Sequence, residues 1–179
     1  DEQGRANLAE DLRSPCTEEV AVFHAFSHVV SQARSAFVVM DTAPTGHSLL
    51  LMDATGAYHR QMVREFEGKA AGRIVTPLMR LQDADYTKII LVTLPEATPV
   101  SQAVALQDDL RRAQIEPFAW VVNKSLLATG TADPLLQARL HSERQQMERV
   151  AAHTRHDVLV VPWTAEPPIG ISALEKLLG

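Results

Sequence analysis

Two kinds of apolar spacing alternate along the chain. Compact, mostly apolar runs stand at residues 37–41, 88–94, 118–123 and 158–163, rich in β-branched or aromatic side chains and closed by polar, proline or glycine positions. Such runs predict short strands. Between them apolar residues return at three- and four-residue steps, the spacing of one helix face. From residue 15 to about 34 that face is Val20, Val22, Phe23, Phe26, Val29 and Val30. Ser14 or Thr17 is its candidate cap, and Glu18 and Glu19 suit the positive end of the helix dipole. A helical pattern resumes over residues 48–67, with a break near Gly56, and a short helix is predicted around 78–83. Helices follow at 100–112, after the turn Pro95-Glu96-Ala97-Thr98-Pro99, and at 132–154, opened by Asp133-Pro134 as cap and first helical residue. A closing helix is predicted at 171–178, while residues 1–11 are polar and without pattern.

Strands alternating with helices imply an α/β fold: one domain over residues 1–179, built on a mostly parallel sheet flanked by helices on both faces. The run Lys88-Ile89-Ile90-Leu91-Val92-Thr93-Leu94 is the most apolar and predicts a fully buried strand. No repeat or low-complexity segment is present.

Composition narrows the function classes. The 179 residues suffice for a proper core, and 46% hydrophobic with 22% charged residues is ordinary for a globular protein. A net charge of −5 without a Lys/Arg cluster argues against nucleic acid as a partner. No uninterrupted apolar stretch is long enough to predict a membrane span, and the polar, acidic start does not resemble a signal peptide. The single cysteine, Cys16, excludes an internal disulfide and suits a reducing compartment. The first residue is Asp rather than Met, as in a fragment or a processed product.

The candidate chemistry centres on Phe37-Val38-Val39-Met40-Asp41-Thr42-Ala43-Pro44-Thr45-Gly46-His47. A carboxylate closing a buried strand of an α/β sheet lies in the crevice where ligands bind, and in P-loop NTPases such an acid holds Mg²⁺. An Asp that merely caps the next turn is the alternative. A phosphate-binding loop, G-x-x-x-x-G-K-[ST], is absent from the sequence: in Gly68-Lys69-Ala70-Ala71-Gly72-Arg73 the Lys follows the wrong glycine, and no buried strand precedes it. Cys16 reads either as a small buried hydrophobe or as a soft-metal ligand. Asn123 ends the third predicted strand, either capping a turn or facing a ligand. His24 and His28 share a helix face at a spacing metal ligands use, but solvated positions are the better reading.

The heptad Asp41-Thr42-Ala43-Pro44-Thr45-Gly46-His47, with the more specific Leu50-Leu51-Met52-Asp53-Ala54-Thr55-Gly56-Ala57-Tyr58-His59, resembles the signature of the arsenical pump-driving ATPases (the ArsA family), most of all their second fused half. The resemblance runs from Leu12-Arg13-Ser14-Pro15-Cys16-Thr17-Glu18-Glu19 to Pro162-Trp163-Thr164-Ala165-Glu166. It implies a P-loop NTPase-like fold of the deviant Walker A class, incomplete at its N-terminal side because the family's phosphate loop lies upstream of the matched region. Alone, the chain is expected not to hydrolyse ATP, and its incomplete sheet is expected to promote dimerisation or poor solubility.

The resemblance further implies ATP and Mg²⁺ as cofactors, with As(III) or Sb(III) as allosteric activator. Asp41 would contact Mg²⁺ from the switch loop. Asn123, Pro162, Trp163 and Thr164 would form the adenine pocket, although Trp163 could equally be core. Ser14, Cys16 and His47 would bind metalloid at sites shared with the other half, since one thiol cannot complete a three-coordinate centre. The implied partners are a membrane arsenite efflux protein, another nucleotide-binding half or second copy, and a metallochaperone. The implied location is cytoplasmic, at the inner face of the membrane through the pump partner. Two other functions stand beside this one. A tail-anchored-protein targeting ATPase shares the heptad, but a C-x-x-C zinc site is excluded by the single cysteine, and five scattered Met residues make no Met-rich surface. A non-catalytic half that regulates a partner would fit the missing phosphate loop.

Overall fold

The computed structural model describes residues 15–33, 35–42, 56, 75–155 and 157–177, with backbone alone at 15–20 and 22–24. The chain divides into two compact units, residues 1–87 and 88–179.

In the first unit, helix α1 spans Pro15–Gln32. Val30 is buried and Phe26 and Val29 are half-buried, on the face predicted from their spacing. Helix α2, Pro77–Gln82, starts where Thr76 Oγ1 accepts the Met79 N–H and where Pro77 occupies the first turn, whose N–H groups lack helical partners anyway. Tyr86 fastens the two helices together. Its hydroxyl donates to the Val30 carbonyl (2.7 Å) and accepts from Arg80 Nη1 (2.6 Å), while the Arg80 guanidinium lies 5.1 Å from the Tyr86 ring centre.

Residues 37–42 correct the sequence reading. They form no strand, and Phe37 and Val39 are 95% and 79% exposed. β-branched content makes a segment fit for a sheet, but a strand exists only where a neighbour satisfies its N–H and C=O groups. No such neighbour pairs with it among the described residues. The predicted helix at 48–67 lies outside the described residues except for Gly56, whose backbone is helical.

The second unit follows the predicted alternation: β1 Ile90–Thr93, α3 Ala97–Arg112, β2 Ala119–Ser125, a one-turn 3-10 helix Leu127–Thr129, α4 Pro134–His153, β3 Val158–Pro162 and α5 Ile171–Glu175. Its three strands pair in parallel in the order β1-β2-β3, with Val92 opposite Val121 and Val121 opposite Leu159. The chain therefore carries the α/β architecture of a P-loop NTPase-like fold. Helix α3 begins three residues before its predicted start because Pro99 is tolerated in a first turn. Its buried stripe is Val100, Ala103, Val104, Gln107 and Leu110. Helix α4 begins as predicted: Asp133 Oδ1 accepts the N–H groups of Leu135 (2.9 Å) and Leu136 (3.0 Å).

One face of the sheet is covered. Leu91, Thr93, Trp120 and Val122 alternate into the interior, where the Trp120–Gln107 hydrogen bond ties β2 to α3. The opposite face departs from the expected burial. Ile90, Val92 and Leu159 are 50%, 62% and 57% exposed, so β1 is buried on one side only. The apolar content of β1 is that of a strand covered twice, but among the described residues the cover is single.

Candidate functional site

The carboxyl ends of parallel strands collect loops that regular pairing has released, and there β2 carries an irregular backbone. Strand β2 pairs regularly with β3 through Val122, which faces Val160; the register then slips, and pairing resumes only at Ser125 opposite Pro162. Asn123 and Lys124 occupy the interruption. Lys124 has φ +59°, in the left-handed region that non-glycine residues avoid. The Asn123 side chain supports that turn, its Oδ1 accepting the Lys124 N–H at 2.9 Å.

Beyond the interruption the two strand ends are joined again, the Trp163 N–H donating to the Ser125 carbonyl at 2.9 Å. Asn123 and the segment Pro162-Trp163-Thr164 thus share one edge of the sheet, on adjacent strands. Asn123 is half-buried, whereas Trp163 is 42% exposed and Thr164 is exposed. Trp163 is therefore a surface group and not part of the core. The capping role and the ligand-facing role of Asn123 are compatible. An amide oxygen has two lone pairs, and the Lys124 N–H takes one. The other lone pair and the NH₂ group form the acceptor–donor pair that matches an adenine edge.

A third component of this edge was not singled out from the sequence. Glu143, on α4, is buried, and its carboxylate accepts three hydrogen bonds from the last residue of β2 and the two that follow it. Oε1 takes the Ser125 hydroxyl (2.5 Å) and the Leu127 N–H (3.1 Å), and Oε2 takes the Leu126 N–H (3.1 Å). The Ser125 hydroxyl oxygen also accepts the Ala128 N–H at 3.3 Å. A legible signal existed. Glu143 falls on the stripe Leu136, Leu140, Glu143, Met147, Val150, at alternating four- and three-residue steps, where a carboxylate interrupts an apolar face.

The remaining candidates are not brought together among the described residues. Asp41 is exposed on the unpaired segment 37–42, so it does not close a strand. Cys16 sits in the first turn of α1, and Ser14 and His47 lie outside the described residues. His28 is exposed and its Nε2 lies 3.1 Å from Gln32 Nε2, one helical turn on, which agrees with a solvated helix position. Among the described residues no cluster of three or more His, Cys, Asp or Glu side chains could hold a metal ion, and no helix is long and apolar enough to cross a membrane.

Comparison with known proteins adds a second line. The model of a family described as "Anion-transporting ATPase" matches residues 2–81. The whole chain is 53% identical to an arsenical pump-driving ATPase of Escherichia coli, and 99% of it is 53% identical to that of Acidiphilium multivorum. The chain spans 30% of the length of each of these curated relatives. An Arabidopsis thaliana ATPase, GET3A, is 21% identical over 96% of the chain, which spans 59% of that protein.

Proposed function

We propose, from the family match over residues 2–81 and the 53% identity to arsenical pump-driving ATPases, that the chain supplies the base-binding edge and the metalloid-coupling segment of an ATPase that drives arsenite or antimonite efflux through a membrane partner. The observation that carries this reading is the shared edge of Asn123 and Pro162-Trp163-Thr164, in a chain 53% identical throughout to arsenical pump-driving ATPases. ATP would supply the phosphoanhydride bond whose hydrolysis drives transport. Within that chemistry the chain's residues bind and couple. Asn123 offers the adenine edge an acceptor and a donor, Pro162 stiffens the facing wall, and Trp163 presents an exposed aromatic surface beside it.

Asp41 is assigned to Mg²⁺ and the switch segment that follows it to coupling. Cys16, with Ser14 and His47, is assigned to As(III) or Sb(III), both soft ions that favour thiolate with imidazole as a secondary ligand. Since one thiol leaves such a centre incomplete, the other ligands come from another nucleotide-binding half or a second copy. Closure of that shared site on metalloid would favour the same loop state as the γ-phosphate, which is how one ligand speeds the chemistry of another. A metallochaperone delivering the metalloid and a cytoplasmic location beside the membrane partner belong to the same proposal.

The test is ATP hydrolysis by the full-length protein, with and without antimonite, for the wild type and Cys16→Ser. Stimulation by antimonite that is lost or sharply weakened in the variant supports the pump. Hydrolysis indifferent to antimonite in both would sink the assignment and move a membrane-protein targeting ATPase to first place.

A further inference from the structure

Glu143 stands where the helix pattern calls for an apolar side chain, and it is 4% exposed. A carboxylate buried that deeply costs stability unless its lone pairs are met, and here they are met by three donors from one short segment, Ser125 to Leu127. All three donors lie directly after the register slip that holds Asn123 and Lys124. The left-handed Lys124 backbone persists only if its surroundings over-determine it. On one side the β2–β3 ladder fixes it up to Val122. On the other, Ser125 is fixed twice, by the Glu143 carboxylate and by its carbonyl's bond from the Trp163 N–H.

We propose that Glu143 is a positioning residue for nucleotide recognition: from the middle of α4 it anchors the end of β2, and so sets Asn123 against the Pro162-Trp163-Thr164 wall. It touches no base itself. The proposal rests on the reading of that edge as an adenine pocket. The predicted effect is on which base is preferred, since a displaced Asn123 loses its pairing with adenine while contacts indifferent to base identity remain. Glu143→Gln keeps the volume and, through Oε1, the acceptor for Ser125 and Leu127, but turns an NH₂ toward the Leu126 N–H. It should recover most of the preference.

The experiment measures ADP and GDP affinity for the full-length protein and its variants, beside the melting temperature of each. In Glu143→Ala, ADP affinity is expected to fall about tenfold while GDP affinity stays within about twofold. Glu143→Gln is expected to recover most of the lost ADP affinity. Leu110→Ala, a core truncation on α3, should lower the melting temperature yet leave the ADP preference intact. If Glu143→Ala keeps the wild-type preference while Asn123→Ala loses it, the positioning role is overturned and the base pocket stands. If Asn123→Ala also keeps it, the pocket reading itself fails. Should Glu143→Ala not fold, Ser125→Ala decides, since it removes one bond of the same anchor. A preference weakened about threefold supports the role, and an unchanged one overturns it.

Discussion

The indole N–H of Trp120 donates to Oε1 of Gln107 at 2.8 Å, and each residue is 1% exposed. The other end of the same amide donates from Nε2 to the His153 carbonyl, also at 2.8 Å, where α4 ends. One buried side chain on α3 thus satisfies a strand and a helix terminus together. Removing it leaves a buried donor and a part-buried acceptor unpaired, the buried one worth about 1–3 kcal/mol. Gln107→Ala is therefore expected to destabilise the chain by about 3 kcal/mol in urea unfolding, and Trp120→Phe by about half as much. A double-mutant cycle between the two should return a coupling of about 1 kcal/mol. Strict additivity would show that the bond contributes nothing.

Lys124 holds a left-handed backbone without being glycine. The conformational cost, about 1–2 kcal/mol, is relieved in Lys124→Gly and offset by the greater freedom that glycine has when unfolded. That variant is expected to match the wild-type stability within about 1 kcal/mol, whereas the β-branched Lys124→Val should lose about 1–2 kcal/mol. Thermal melts of the three proteins check this. Equal melting temperatures for the Val and Lys forms would contradict the strain.

Val92, Val121 and Leu159 line up across the three strands on the sheet face that lacks cover among the described residues. A row of apolar side chains of this kind favours self-association. The chain alone is expected to sediment as larger species with rising concentration, and Val92→Lys to shift it toward monomer with little change in stability, within about 0.5 kcal/mol. Identical sedimentation of the two proteins would show that this face is not what associates.

How much was legible depended on whether a feature is local. The Asp133-Pro134 start of α4 was readable because a cap and a first-turn proline act within three residues. The strands at 88–94, 118–123 and 158–163 were readable because their runs are short and β-branched, although their ends moved by up to two residues. What the pattern could not carry was pairing and cover. Among the described residues, 37–41 have strand composition and no strand partner, and β1 has the composition of a twice-covered strand with one covered face. For the site, Asn123 and Pro162-Trp163-Thr164 were proposed through family resemblance, and the parallel register puts them on one edge. Glu143 escaped because a glutamate in a polar helix looks solvated unless the stripe it interrupts is traced through Leu136, Leu140, Met147 and Val150.

The connection from β2 to α4 is fastened at each end by a different carboxylate, Glu143 at Ser125 to Leu127 and Asp133 at the helix start. The stretch between the two anchors is exposed at Gly130 and Ala132, and a side chain built at Gly130 would meet open space, although its φ of +63° favours glycine. Independent fastening separates the loop's length from its function. Residues added between the anchors would lengthen a surface arc without pulling on the strand end or unwinding the helix, because closing a longer loop costs little. For a protein engineer this connection is the natural place to insert a peptide tag or a fluorophore attachment site.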